Sequence, residues 1–430
     1  MSTGIAPTET SVQNSCLSQL RAEGRKSFES LPMPVRTDEP WRFASIKLLD
    51  LSPYSAPQPV AEYEQARFVE SSTGLVKTAG KMVFANDELV SREILSETLA
   101  QKGVIWKPLE QAAAEHPELF QKHFMAHGAP LGSKKFTALH QASVKSGTFL
   151  YVPRGVEIDL PIEVFHWLQG ENASTFPHTL LIAEENSKVT LVDYFIGADP
   201  EVAGLAIGVN DLYVGAGAQL NYVCVQNWSR KTLAFQINNT VVGRNASAKS
   251  LNLNLGGKYA RTESASRLTG EGGRSDMLAV TVAEGDQEFD QRTFQDHLAP
   301  GAISDLLYKN SLDDQARTIF AGMIKVEPHA HRTDAYQKVR NLLLSDEAEA
   351  NSMPGLEILA DDVRCSHGAT SGQIEEEELF YMLARGISKR VAQRLIVQGF
   401  LQEAINRLGN EAIAAKLGEF VQAKFNSTKG

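Results

Sequence analysis

The chain has few cysteines and no long apolar run, and each shortage excludes a class of protein. Only Cys16, Cys224 and Cys365 occur in 430 residues. An odd and scattered set does not build a disulfide framework, which favours a reducing compartment. No run approaches the roughly 18 apolar residues of a membrane span, and the first residues do not resemble a signal peptide. We therefore expect a cytoplasmic protein without a membrane span.

Positive charge and catalytic motifs are also scarce. Lys and Arg number 42 against 52 Asp and Glu, so the net charge of −10 argues against a nucleic-acid partner. The segment Gly256-Gly-Lys-Tyr259 lacks the leading glycine and the Ser or Thr of a nucleotide-binding P-loop. No Gly-x-Ser-x-Gly elbow and no His-Glu-x-x-His helix is present. The residues therefore offer no familiar enzyme motif.

Residues 1–135 combine helical periodicity with irregular segments. Apolar side chains at helical spacing predict a first helix that ends near Phe28: Val12, Cys16, Leu17 and Leu20. Pro117 is well placed to begin another helix. Three histidines here lack the grouped Cys or carboxylate ligands of a site, and we interpret them as surface residues: His116, His123 and His127. We treat 1–135 as an N-terminal helical and irregular region.

The pattern changes from residue 136 to about residue 370. Short β-rich runs alternate with small turn residues, and similar turn-strand segments begin 31, 28, 28 and 28 residues apart: Asn186, Gly217, Asn245, Gly273 and Gly301. Weaker strand starts lie about halfway between, at Thr232 and Gln287. Two strands per repeat are typical of a β-solenoid, whose coils stack on one continuous core. An immunoglobulin-like sandwich would not keep so constant a period.

The segment Pro354–Ile387 holds the most chemistry. Alternation over its extended part places Val363, Cys365 and His367 on one face. A thiolate and an imidazole side by side are half of a metal site, and the remaining ligands must come from elsewhere. The alternative is a small buried Cys and a hydrogen-bonded His. Spacing alone leaves both open.

Three other candidates are weaker. Cys224 lies among apolar residues and is most simply a core residue. His329 and His331 would point the same way on a strand, but no third ligand is near them in the sequence. His297 fits either a surface turn or a site.

Residues 371–430 predict a C-terminal helical domain. The acidic run Glu375–Glu378 suits a helix start, Gly386 suits the end of that helix, and Ser388 suits the next cap. Apolar side chains follow at helical spacing: Val391, Leu395, Ile396, Leu401, Ile405, Leu408, Ile413, Leu417, Phe420 and Val421. Such stripes are normally core, but at the end of a solenoid they also suit a docking surface.

A series of motifs resembles the SufB/SufD family of iron–sulfur cluster assembly proteins. The motifs are Thr333-Asp-Ala-Tyr-Gln337, Asn341-Leu-Leu-Leu-Ser345, Pro354-Gly-Leu-Glu-Ile-Leu-Ala-Asp-Asp-Val-Arg-Cys-Ser-His-Gly-Ala-Thr370, Leu379-Phe-Tyr381 and Ala384-Arg-Gly-Ile387. The resemblance is dense from about residue 304 to residue 400 and looser upstream. It is greatest to the SufD branch, because the strand before the Cys-Ser-His motif carries no Cys.

The resemblance implies a right-handed parallel β-helix between helical ends and a non-enzymatic scaffold role. It implies a SufB-like partner, and an ABC ATPase like SufC that docks on the C-terminal helices and binds the nucleotide. His367 would be an iron or cluster ligand, with the thiolate supplied by the partner; the role of Cys365 is less secure. The cluster would be transient and shared between chains, and a homodimer of the isolated chain stays open.

A second hypothesis is a stand-alone β-helix enzyme acting on polysaccharide. Such an enzyme lines an outer groove with carboxylates from successive coils. Runs such as Leu251-Asn-Leu-Asn-Leu255 offer little of that chemistry.

Overall fold

The computed structural model describes residues 16–93 and 95–427, and Val12 lies outside them. Strands account for 41% of the chain and helices for 25%. The helices are α1 (Cys16–Ser30), α2 (Glu62–Ser71), α3 (Glu97–Gln101), α4 (Leu109–Glu115), α5 (Pro117–His123), α6 (Lys134–Ser143), α7 (Glu376–Leu383), α8 (Lys389–Asn406) and α9 (Glu411–Ser427). The fold is therefore mainly β with helices near both ends, as the sequence predicted.

The strands form two long sheets. They are β1 (Gly80–Ala85), β2 (Glu88–Arg92), β3 (Ile105–Pro108), β4 (Gly147–Val152), β5 (Ile162–Leu168), β6 (Ala173–Thr175), β7 (His178–Ala183), β8 (Lys188–Gly197), β9 (Gly204–Val214), β10 (Gln219–Asn227), β11 (Thr232–Val242), β12 (Ser247–Asn254), β13 (Tyr259–Leu268), β14 (Arg274–Ala283), β15 (Glu288–His297), β16 (Ile303–Leu312), β17 (Arg317–Val326), β18 (Asp334–Leu343), β19 (Glu349–Ile358) and β20 (Arg364–Gln373).

From β8 onward, successive strands alternate between the sheets. The first sheet has the order β2-β1-β5-β8-β10-β12-β14-β16-β18-β20, and the second has the order β19-β17-β15-β13-β11-β9-β7-β4-β3. From β4 onward the pairing within each sheet is parallel, for example β10 with β12 and β11 with β13. Each coil thus gives one strand to each sheet, and about eight turns make a parallel β-solenoid. The prediction of a solenoid is confirmed.

One corner of the solenoid explains the sequence repeat. A residue with positive φ occurs there in each coil: Asn186, Gly217, Asn245, Gly272, Gly301, Arg332 and Asp362. In every coil before the last, the N–H of this residue donates to a backbone carbonyl of the following coil, as from Asn245 to Glu271. Asn and Gly are the residues that adopt this backbone conformation most readily. The predicted turn at Gly273 was one residue late, because Gly272 has the positive φ.

The interior of the solenoid is unusually polar for a core. Tyr222 donates from its hydroxyl to Asp193 Oδ2 at 2.7 Å, and Asn210 Nδ2 donates to Asn238 Oδ1 at 2.8 Å, all buried. Cys224 lies in the same interior and is 1% exposed, so its predicted core position is confirmed. Burial, with the nearby charge of Asp193, raises the pKa of the Cys224 thiol well above its usual range. This thiol is an inert core group.

Helical segments cover the outer faces of both sheets. Trp41 and Phe136 of the N-terminal region pack against Phe235 on the second sheet. On the first sheet, α8 and α9 cover the outward side chains of the Leu251–Leu255 run, with Leu401 among the contacts. The helical stripe of the C-terminal region is therefore largely core.

Two expectations for residues 1–135 need correction. Three strands, β1 to β3, lie in this region beside its helices, and β1 joins the first sheet by parallel pairing with β5. His123 is 8% exposed and hydrogen-bonds through Nδ1 to the Leu119 carbonyl, so it is not a surface residue. Pro117 begins α5 as predicted. Over the described ranges, no helix has the length and apolar character needed to cross a membrane.

Candidate functional site

Cys365 and His367 lie on β20, the last strand of the first sheet. In the described chain β20 pairs with β18 alone, and β19 pairs with β17 alone. No further coil among the described residues stacks on them, so this end of the solenoid is open. All residues of β20 are exposed except Cys365, which is half-buried.

The strand register shows where these two side chains point. Cys365 is the neighbour of Ala335, and His367 is the neighbour of Gln337, both of which are buried on β18. In a parallel pair, neighbouring side chains stand on the same face. Cys365 and His367 therefore extend the inward face of the solenoid at its open end, on one face as the alternation predicted.

Apolar neighbours surround the thiol. Cys365 packs against a small buried cluster formed by Ile324, Val326, Ala330 and Ala335. Burial raises the pKa of the Cys365 thiol, and the nearby charge of Asp334 adds to the rise. Because the thiolate is the ligand form, metal binding by Cys365 requires loss of this proton.

The chain itself does not complete a metal site. Among residues 16–93 and 95–427, no three His, Cys, Asp or Glu side chains are grouped so that they could hold a metal ion. His329 and His331 lie in a turn rather than on a strand, where they hydrogen-bond to the carbonyls of Leu298 and Asp361. The described residues thus bring Cys365 and His367 to one face of the solenoid without a third candidate ligand beside them.

A buried polar cluster lies below the open end, and the sequence did not reveal it. Ser304 Oγ is 2.8 Å from His297 Nε2 and accepts from Gln295 Nε2 at 2.7 Å. Gln295 Nε2 also donates to the Tyr336 carbonyl, and Gln337 Nε2 donates to Gln295 Oε1 at 3.4 Å. Burial lowers the pKa of His297 to about 4, so this imidazole is neutral. His297 is an interior residue rather than a surface turn.

A second exposed feature follows β20. No side chain of α7 is buried, and Phe380 and Tyr381 are 71% and 57% exposed. Val391 and Leu395, one turn apart on α8, are also exposed, and Leu395 lines a shallow groove with Tyr381, although Leu401 and Ile405 of the same stripe are buried. Apolar side chains grouped at a surface mark interaction sites. We call Phe380, Tyr381, Val391 and Leu395 the α7 patch.

The fold and the site define a class: a parallel β-solenoid, helical at both ends, with an open terminal coil that carries a Cys and a His on its inward face. Family comparison places the chain within that class. Residues 166–400 match the family described as "SUF system FeS cluster assembly, SufBD core domain", and residues 8–164 match "SufBD protein N-terminal region". The chain belongs to the SufBD family of iron–sulfur cluster assembly proteins.

Curated relatives are similar in sequence to this chain along almost its whole length. The iron–sulfur cluster assembly protein SufD of Bacillus subtilis (strain 168) is 30% identical over 95% of this chain and 94% of its own length. A SufBD family protein of Staphylococcus aureus (strain USA300) is 26% identical over 95% and 89%. One from Staphylococcus haemolyticus (strain JCSC1435) has the same identity and coverage. The SufD-like resemblance predicted from the motifs is confirmed.

Proposed function

We propose that this chain is a non-enzymatic scaffold subunit that assembles iron–sulfur clusters at the open end of its solenoid, with the cluster as cargo. The observation that carries the proposal is the position of His367 and Cys365, which face inward on a terminal coil that no other described strand covers. His367 supplies an imidazole ligand. A thiolate from a second chain completes the site, because burial raises the pKa of the Cys365 thiol and so disfavours its thiolate.

The second chain is a SufB-like subunit that docks on the open end. Strands β19 and β20 each have ten residues, and each has one edge without a strand partner in the described chain. An exposed strand edge binds a partner strand through main-chain hydrogen bonds. The same edges suit a second copy of this chain, and we expect a homodimer when the chain is isolated.

The second partner is an ABC ATPase like SufC, which docks on the α7 patch and carries the nucleotide chemistry. The exposed Phe380 and Tyr381 support this assignment. Function in the cytoplasm belongs to the same proposal, and the three free cysteines support it.

The polysaccharide-enzyme hypothesis loses its main support. The outer face that includes Leu251 and Leu253 lies under α8 and α9 rather than along an exposed groove. Within the described ranges, the acidic surface at Asp286, Asp314 and Asp346 is a row of solenoid turns. No observation favours this alternative over cluster assembly.

The test is cluster loading of the complex with a SufB-like subunit and the ATPase. His367→Ala should keep the complex intact and lower bound iron and cluster absorbance at least several-fold, because one ligand is lost. Cys365→Ser should lower them less. Circular dichroism and gel filtration check the fold and the assembly.

Cys16→Ser and Cys224→Ala are matched controls, since neither residue lies at the open end, and both should load normally. Normal loading of the His367 variant would refute the ligand role. A larger loss with Cys365→Ser than with His367→Ala would exchange the two assignments. A homodimer that loads clusters without the SufB-like subunit would refute the shared site.

A further inference from the structure

Gln337 has an unsatisfied carbonyl directly below His367. It lies on β18, is 2% exposed, and is the register neighbour of His367 on β20. Such neighbours in adjacent strands stand about 4.8 Å apart. Gln337 Oε1 is buried and has no hydrogen-bond partner in the described chain. A buried carbonyl without a partner is unfavourable, so a donor for this oxygen is to be sought nearby.

The hydrogen bonds below Gln337 determine which end of its amide faces upward. The Tyr336 carbonyl only accepts, so the nitrogen of the Gln295 amide must be the atom that donates to it at 3.2 Å. Gln295 Oε1 is then an acceptor, and Gln337 must offer its Nε2 to it. Gln337 Oε1 then has no partner among the described residues, and the neighbouring strand carries His367 at the same register position. The orientation of this amide therefore follows from a backbone carbonyl.

The position of the amide also depends on Gly322. A Cβ built on Gly322, which lies on β17 in the opposite sheet, would stand 2.2 Å from Gln337 Nε2. Glycine thus leaves the space into which the Gln337 side chain extends across the interior. Gln337 is held in place from below by Gln295 and has room because of Gly322.

We propose that Gln337 is a positioning residue for His367. Its Oε1 accepts a hydrogen bond from a ring N–H of His367, which the exposed imidazole reaches by rotation about its side-chain torsions. This bond selects one neutral tautomer and leaves the lone pair of the other ring nitrogen directed out of the open end. Metal-binding histidines usually donate their second ring N–H to such an oxygen. The inference rests on the proposed function only where it assigns the free nitrogen to iron.

The test is the tautomer of His367 in the full-length chain. Long-range ¹H–¹⁵N spectra of ¹⁵N-histidine-labelled protein show which ring nitrogen carries the proton, and His367→Asn identifies the signal among the ten histidines. The wild-type chain should show one neutral tautomer. Gln337→Met, which removes the carbonyl and keeps the shape, should give the mixture of an unrestrained imidazole. Gly322→Ala should do the same by displacing the amide.

The control is Gln291→Met. Gln291 is also a buried interior amide, bonded to Thr281 and Asn310, but it is not a neighbour of His367. This variant should leave the His367 tautomer unchanged, whereas a purely structural effect of losing an amide would appear in both variants. In the loaded complex, Gln337→Met should weaken iron binding about 10–100-fold.

A mixed tautomer in the wild-type chain overturns the proposal, and this measurement requires only that the His367→Asn variant, changed at an exposed position, folds for the assignment. An unchanged single tautomer in Gln337→Met overturns it as well. The proposed function fails separately, if His367→Ala loads clusters normally. In that case the hydrogen bond between His367 and Gln337 would still be supported, but His367 would not be an iron ligand.

Discussion

The guanidinium carbon of Arg261 lies 3.8 Å from the ring centre of Trp41, in a contact that attaches the N-terminal region to the second sheet. Arg261 also donates to the carbonyls of Pro40 and Leu131 and forms ion pairs with Glu263 and Asp290, all with its side chain fully buried. One side chain thus ties two separate stretches of the N-terminal region to adjacent strands.

Arg261→Met should be strongly destabilising. It leaves the carboxylates of Glu263 and Asp290 buried without one of their cations, and removing one partner from a buried ion pair costs about 3–5 kcal/mol. Chemical denaturation of the full chain measures this. Arg274→Met is the control, because Arg274 also pairs with an acid two residues along its strand, Asp276, but is 47% exposed. We expect it to cost less than about 1 kcal/mol, and equal losses would contradict the prediction.

His166 should make the fold sensitive to acid. The imidazole is stacked between Phe84 and Phe195, with centroids 5.1 Å apart on each side, and neither ring nitrogen has a hydrogen-bond partner in the described chain. Burial lowers the pKa of His166 from 6.5 to about 3. Below pH 6.5 the unfolded chain therefore binds the proton better, so stability falls as the pH drops from 6.5 towards 3.

His166→Phe should remove this contribution. Between pH 7 and pH 5 the wild-type chain should lose about 2 kcal/mol more of unfolding free energy than the variant, at about 1.4 kcal/mol for each pH unit. Comparison of the two chains isolates His166 from the other titrating groups. Parallel pH profiles for the two proteins would mean that His166 titrates normally.

Lys309 should hold the C-terminal helices on the solenoid. Its ammonium group pairs with Glu403 and donates to the Phe400 carbonyl at 2.8 Å, with the side chain 2% exposed. Lys309→Ala should increase hydrogen exchange in α8 and destabilise it locally by about 1–2 kcal/mol. Lys416→Ala, which removes a pair within α9 to the exposed Glu419, should leave exchange in α8 unchanged. Faster exchange only in the solenoid strands would argue against this role.

The α7 patch should bind the ATPase. Replacing Phe380 and Tyr381 together by Ala should weaken ATPase binding at least tenfold, because exposed aromatic side chains carry much of the energy of an interface. Stability should change little, since both side chains are exposed. Tyr63→Ala is the control, because Tyr63 is 77% exposed on α2 and lies outside the patch. Titration calorimetry with the purified ATPase measures both, and unaltered affinity of the double variant would place the docking surface elsewhere.

The sequence predicted the solenoid because its corner residues repeat locally. Asn186, Gly217, Asn245 and Gly301 each have a positive φ, and the residue type at a single position is enough to indicate this conformation. The strand β1 was missed because its partner β5 lies about eighty residues away, and non-local pairing leaves no local pattern. His123 was missed for the same reason: its burial depends on what packs over it.

The candidate site was half predictable. The alternation that placed Cys365 and His367 on one face needs only the strand period. Gln337 belongs to a motif recognised in the sequence, yet a polar residue on a strand normally indicates a solvent face. Its burial follows from the polar interior of the solenoid, where Gln295 and Gly322 come from other strands.

The two ends of the solenoid differ in a way that limits the size of the assembly. At the N-terminal end of the solenoid, each sheet ends in a short antiparallel strand, β2 with five residues and β3 with four. The last residue of β3 is Pro108. The last coil ends in two parallel strands of ten residues each. Head-to-tail stacking, which would give a fibre, needs matching ends, and these do not match. Contact between two C-terminal ends pairs the free edges of β19 and β20 at the same time. We therefore expect the assembly to stop at two solenoids.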